Sequence, residues 1–210
     1  DFLQITVALA QKNKKVAFVQ TPQNYYNIKN SHIAKGSQMQ QSIFYESICE
    51  AKNLTNSMFF CGTNGLIKTN IIKGIGGFVQ DNVTEDFATS IKLHVAGYQS
   101  IYFNHVRAFG LAPETLSSYF KQQYRWAIGT TGMVSKLVKI FFHNPTCLSF
   151  MQWWEYFLSS TYYLFSWAFL IMMLTPILFI FFHIPSYFLT PSAYVATFIP
   201  YITLNLLIFY

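Results

Sequence analysis

The chain has 210 residues, 52% of them hydrophobic and 19% aromatic, and only 10% charged. A soluble domain carries about 25% charged residues. Here the deficit is local, since after Lys139 the one remaining Asp, Glu, Lys or Arg is Glu155, which excludes a single soluble globule and predicts a polar segment followed by a membrane segment. The net charge of +6 comes with no Lys/Arg run longer than Lys14-Lys15, so nucleic acid is excluded as a partner and bases flanking a membrane are the simpler account.

Along the chain, Asp1-Phe2-Leu3 starts like the middle of a helix and lacks an initiator Met, so further chain is expected before it. Phe2, Ile5 and Leu9 recur at helical spacing and predict a helix over 1–14. Val16 to Thr21, closed by Pro22, reads as a buried strand. Residues 38–52 read as helix. Met58 to Gly62 reads as a strand ending at a glycine, and Gly65 to Lys68 as a second, short one. Gly74-Ile75-Gly76-Gly77-Phe78 reads as a turn-rich loop. Thr84 opens a helix that runs to about Ala96 and stops at Gly97. Gln99 to Phe103 is a strand, and Pro113-Glu114-Thr115 starts another helix with its proline in an early position. This alternation predicts an α/β layer.

Leu148 to Phe182 is too long for one straight span. It divides into an interfacial helix over 146–162, rich in Trp153, Trp154 and Tyr156, and a transmembrane helix over 163–182. Pro176 sits inside that span, where neighbouring helices tolerate it. A loop over 183–192 follows, then a second span over 193–210, expected to be cut short at the chain end. Arg125, Lys136 and Lys139 precede the first span and the loop has no Lys or Arg, which places residues 1–145 in the cytoplasm of a multi-pass plasma (inner) membrane protein. Cys49, Cys61 and Cys147 show no metal or CxxC spacing and read as free thiols of a reducing compartment.

Two clusters carry chemistry. Glu85-Asp86 lies in a first helical turn, where acids also simply complement the helix dipole. As a functional pair, a carboxylate held at a helix N-terminus takes the proton of a hydroxyl as that oxygen attacks. Gln122, Arg125 and Trp126, at i, i+3 and i+4, share one helix face. That face reads either as an interfacial helix with Trp among headgroups or as a subsite. In the second reading Arg offers a planar fork to a diphosphate, Gln adds a neutral donor, and Trp gives a platform for a sugar ring. Phe59-Phe60-Cys61-Gly62-Thr63 reads as a buried strand with a tight turn, in which Gly62 would let a substrate approach the backbone.

The order Gln20-Thr21-Pro22, Phe59-Phe60-Cys61-Gly62-Thr63, Ile75-Gly76-Gly77-Phe78, Thr84-Glu85-Asp86, Gly110-Leu111-Ala112-Pro113-Glu114-Thr115, Gln122-Gln123-Tyr124-Arg125-Trp126 resembles the second half of the catalytic domain of the processive membrane glycosyltransferases of family 2, whose type is cellulose synthase. The resemblance covers roughly residues 1–145, and the apolar helices after it fit the same layout. It implies a partial GT-A-like domain followed by an interfacial helix and transmembrane helices. It implies inverting transfer from a nucleotide sugar, UDP-glucose first among them, to a growing β-linked polysaccharide that leaves across the membrane. Asp86 would be the general base of the Thr84-Glu85-Asp86 triplet, with Thr84 and Glu85 among the acceptor- and donor-binding residues. Gln122, Arg125 and Trp126 would hold donor diphosphate and acceptor sugar, and Phe60, Cys61 and Gly62 would line the acceptor site. A Mg²⁺ or Mn²⁺ ion is implied too. No Asp-x-Asp occurs here, so its ligands are expected before residue 1. The rival readings are a synthase of another polymer such as hyaluronan or chitin, a non-processive lipid-linked sugar transferase, and a non-enzymatic transporter, against which the uncharged spans argue.

Overall fold

The computed structural model describes residues 1–184 and 190–208. Its centre is strand β1 (Val16–Gln20), all five residues of which are buried. A strand buried on both faces reads as a continuous apolar run, and Val16-Ala17-Phe18-Val19 is one. β1 pairs antiparallel with β3 (Gly65–Ile67), with Phe18 opposite Ile67, and parallel with β4 (Gln99–Tyr102), with Val19 opposite Ile101. The sheet order is therefore β3-β1-β4. β2 (Gln23–Tyr25) and β5 (Ala108–Gly110) form a separate parallel pair.

Helices cover these strands. α1 (Phe2–Gln11) leads into β1. α2 (His32–Ile43) is capped by Ser31, whose Oγ accepts from Ala34 N. A π-helical turn over Phe44–Ile48 joins it to α3 (Cys49–Leu54). The sequence pattern places the start of this helix six residues late, because Gly36 and the glutamines around it weaken the apolar periodicity there. α4 (Thr69–Gly74) occupies a segment with no helix expectation. α5 (Glu85–Val95) has Thr84 at its N-cap and Gly97, at φ +82°, just past its end.

Three other expectations need correction. Met58 to Gly62 forms no strand, because its amides have other partners: Phe60 N donates to Ser90 Oγ and Cys61 N to Gln20 Oε1. α6 (Leu116–His143) begins after Pro113, with Thr115 and Ser118 forming a reciprocal capping box. Glu114 instead accepts from the Nδ2 groups of Asn27 and Asn30. Finally, α7 (Phe150–Phe182) is one unbroken helix of 33 residues, about 50 Å long, with no break near 162. What changes along it is burial: Gln152, Tyr156, Ser160 and Thr161 are buried, whereas nearly every residue from Phe165 on is exposed.

Residues 1–164 form one compact unit and the residues from Phe165 on another. Among the described residues α7 is the one helix long and apolar enough to cross a membrane. α8 (Pro191–Ile208) is apolar over the shorter stretch Val195–Leu204. Residues 185–189 of the expected 183–192 loop, and residues 209 and 210 of the expected second span, lie outside the described residues.

In the first unit, α5, α6 and the start of α7 share a core of Phe87, Ala88, Ile91, Met133, Leu137, Leu148 and Tyr156. Beside it His94 is buried, with Nδ1 2.5 Å from Tyr156 Oη and Nε2 3.1 Å from Ser100 Oγ. One ring nitrogen donates and the other accepts, which suits the neutral ring. Burial lowers its pKa to about 4. The unfolded chain takes up this proton near pH 6.5, so stability is fully present above that pH and is lost on acidification towards 4. The expected loss is on the order of 3 kcal/mol. The thermal midpoint should fall between neutral pH and pH about 4.5, and less steeply in His94→Gln; equal slopes in the two proteins would exclude His94 as the cause.

Candidate active site

The site forms where three segments meet: the 59–63 loop, the N-terminus of α5 and one face of α6. The loop is pinned from below. Gln20, fully buried in β1, accepts Cys61 N through Oε1 at 2.9 Å and donates from Nε2 to Thr63 O at 2.8 Å. Ser90 on α5 accepts Phe60 N at 2.8 Å and itself donates to Asp86 O. The loop thus cannot slide relative to either element. At its apex Gly62 is exposed and sits at φ +74°. A Cβ there would lie 2.8 Å from Asp86 Oδ2. The glycine therefore permits both the left-handed backbone and the approach to the carboxylate.

Asp86 is half-buried, and its Oδ1 accepts Phe87 N at 2.7 Å. Burial raises its pKa above the ordinary carboxylate value; the Phe87 amide opposes this, Glu85 adds to it and Arg125 opposes it. A helix N-terminus favours the anion by only about 0.3–1 kcal/mol. Burial acts on Asp86 in the opposite sense to that effect. Glu85 is exposed and bears on Asp86 as a like charge. Thr84 is buried and turned away from this cluster: its hydroxyl donates to Asn82 Oδ1, and it packs against Gly129 of α6, where a Cβ would come within 2.8 Å of Thr84 Cβ. Asn82 Nδ2 also donates to Gly129 O. Thr84 with Gly129 is thus the crossing point of α5 and α6 and sets how near the two come.

Gln122, Trp126, Gly129, Met133 and Leu137 follow one another at four- and three-residue steps on the inward face of α6. Met133 and Leu137 enter the core, so the same face, about two to three turns before Met133, presents Gln122, Arg125 and Trp126 near the start of α5. Arg125 is exposed and acts electrostatically on Asp86. Trp126 is half-buried. Burial raises the pKa of Tyr25 at the end of β2, and Gln122 opposes that rise. Phe60 turns into the sheet, edge-on to Phe18 with ring centres 6.0 Å apart and over Gly65. The Cys61 thiol points inside, next to Tyr45, and burial pushes its pKa well above the ordinary value, with Cys49 and Asp86 nearby adding to the rise. A buried thiol of raised pKa is disfavoured as the thiolate that a nucleophile needs.

The structure therefore brings Gly62 and Cys61 to Asp86, leaves Arg125 exposed on the α6 face that carries Gln122 and Trp126, and packs Thr84 against Gly129 and Phe60 against Phe18. Sequence reasoning misses Gln20, Ser90, Asn82 and Gly129. Gln20 does leave a signal: a buried polar residue inside an apolar strand is informative. The divalent ion implied by the resemblance finds no ligand set here. Among the described residues no three His, Cys, Asp or Glu side chains group to hold a metal, and the chemistry of these residues is derived without one.

Residues 1–209 match the family described as glycosyl transferase family group 2. The chain is 29% identical over 208 residues to cellulose synthase 1 of Komagataeibacter xylinus, covering 95% of this chain and 13% of that protein. It is 35% identical over 137 residues to a UDP-forming cellulose synthase catalytic subunit of Dictyostelium discoideum, covering 64% and 13%. It is 34% identical over 133 residues to the UDP-forming cellulose synthase catalytic subunit of Pseudomonas fluorescens, covering 61% and 18%. The chain thus spans less than one fifth of the length of each of these relatives.

Proposed function

This chain belongs to glycosyl transferase family group 2, and we propose that it forms the acceptor side of a processive, inverting synthase of a β-linked polysaccharide, with UDP-glucose as donor and a cellulose-type glucan as product. The observation that carries this reading is the contact of a carboxylate with an exposed glycine apex: a Cβ at Gly62 would lie 2.8 Å from Asp86 Oδ2, and the charge of Arg125 on α6 acts on that carboxylate. The donor assignment is supported by relatives named UDP-forming cellulose synthase subunits.

The chemistry follows from these groups. The terminal hydroxyl oxygen of the acceptor attacks the anomeric carbon of the donor sugar from the side opposite the diphosphate. A new C–O bond forms while the bond to the diphosphate oxygen breaks, and that oxygen leaves with the electron pair. The hydroxyl proton passes to Asp86. Burial suits this role, because a base works best when its pKa approaches the working pH. Arg125 faces the charge that grows on the leaving diphosphate, where its planar fork matches phosphate oxygens. Gln122 donates beside it, and Trp126 offers its ring face to the acceptor sugar. Inversion at the anomeric carbon gives the β linkage from an α-linked donor. We read the apolar half of α7 as crossing the membrane, α8 as a second span, and the polar unit as cytoplasmic, so that the product leaves through the membrane. A divalent ion would neutralise the donor diphosphate when bound.

Membranes carrying the intact protein test this reading. With radiolabelled UDP-glucose they should yield an insoluble labelled product that cellulase degrades. Label found solely in free sugar or in lipid would contradict it.

A further inference from the structure

Lys52 and Glu155 have no part in the chemistry above, yet they form a polar contact inside the unit. Lys52 on α3 is 3% exposed. Its Nζ donates to Glu155 Oε2 at 2.5 Å and to Ser159 Oγ at 2.9 Å, two groups one helical turn apart on α7. The same ammonium lies 5.7 Å from the centre of the Phe59 ring. A buried ion pair is a poor source of stability, since well-packed apolar side chains of similar volume serve as well or better. What it specifies is geometry. One axial and rotational setting of α7 brings both Glu155 and Ser159 to the ammonium. Gln152, three residues earlier on α7, adds a second clamp by donating to Asn56 O at 2.7 Å.

This clamp reaches the site through aromatic rings. Phe59 meets Phe87 edge-on, with centres 5.0 Å apart and planes at 84°. Phe87 in turn meets Tyr156 of α7 at 5.7 Å. Phe59 leads directly into Phe60-Cys61-Gly62, and Phe87 directly follows Asp86. The ion pair and the contact between Gly62 and Asp86 are thus joined by two packed rings, each covalently next to one side of that contact.

We propose that Lys52 and Glu155 are positioning residues, which hold the first half of α7 in register on the unit and through Phe59 and Phe87 fix the 59–63 loop against Asp86. The rate readout of this proposal rests on the glycosyl-transfer reading; the structural readout does not. The experiment uses the intact membrane protein. Glu155→Met strands the buried Lys52 ammonium and should lower the thermal midpoint most, while Lys52→Met leaves the half-buried Glu155 unpaired and should lower it less. Lys52→Met/Glu155→Met removes both charges and should restore it. If the pair positions the loop, the double variant still shows faster amide exchange at Phe60–Gly62, by about tenfold. Its kcat should still be down by about 10–10² with KM for the donor little changed. A stable double variant with wild-type exchange and wild-type kcat overturns the proposal. So does a double variant as unstable as the single ones, which makes the pair an ordinary stabilising contact. Should the wild type transfer no sugar at all, the functional reading falls alone, and the exchange comparison still decides what the pair does.

Discussion

Gly62→Ala is expected to cut sugar transfer by about 10²-fold while the protein stays folded. Two costs fall on one residue. A left-handed backbone at φ +74° disfavours any L side chain by about 1–2 kcal/mol. The new methyl would also stand 2.8 Å from Asp86 Oδ2, well inside contact distance. The loop cannot back away, since Ser90 and Gln20 hold the amides of Phe60 and Cys61. The carboxylate is what gives: its side chain is short and can rotate, at the expense of the bond from Phe87 N. The loss therefore falls on the alignment of the base more than on the fold. The check is the initial rate of UDP release beside the thermal midpoint. A near-wild-type rate would mean that Asp86 is not placed by this contact, and a large drop in the midpoint would mean that the loop carries more of the fold than its exposed apex suggests.

That contact cannot be read along the chain. Asp86 is legible as a candidate, because an acid pair after a threonine marks a helix start, and α5 does begin at Glu85. The face of Gln122, Arg125 and Trp126 is legible from spacing alone. Gly62 is legible as a turn, but its position against Asp86 is set by bonds from Ser90 and Gln20, 30 and 41 residues away from the amides that they hold. The same bonds explain why Met58 to Gly62 misleads. Its apolar character is that of a strand, yet its hydrogen-bonding capacity goes to side chains instead of a ladder. β1 is legible because burial on both faces leaves a continuous apolar run, and Gly97 because a left-handed helix end favours glycine. Thr84 shows the limit of motif reading. As part of a resembling triplet it falls with the binding residues, whereas its neighbours, Asn82 and Gly129, make it the point at which two helices cross. The sequence divides α7 because its apolar run exceeds one membrane crossing, but a helix can continue unbroken while the burial of its residues changes.

Asp86→Asn is the most direct test of the central claim that Asp86 takes the acceptor's proton. The substitution keeps shape and volume, and an amide oxygen can still accept from Phe87 N. It removes the basicity and the negative charge that Arg125 faces. Fold and donor affinity should survive, because in the proposed reading Arg125 and Gln122 of α6 hold the diphosphate. The rate of transfer should fall by about 10²–10⁴, the usual cost of losing a positioned base. Measured in membranes as UDP released per enzyme at saturating UDP-glucose, with UDP binding followed in parallel, the variant should bind UDP normally and turn over at least about 10²-fold more slowly than wild type. UDP release within a few-fold of wild type by a protein that binds UDP normally would contradict it.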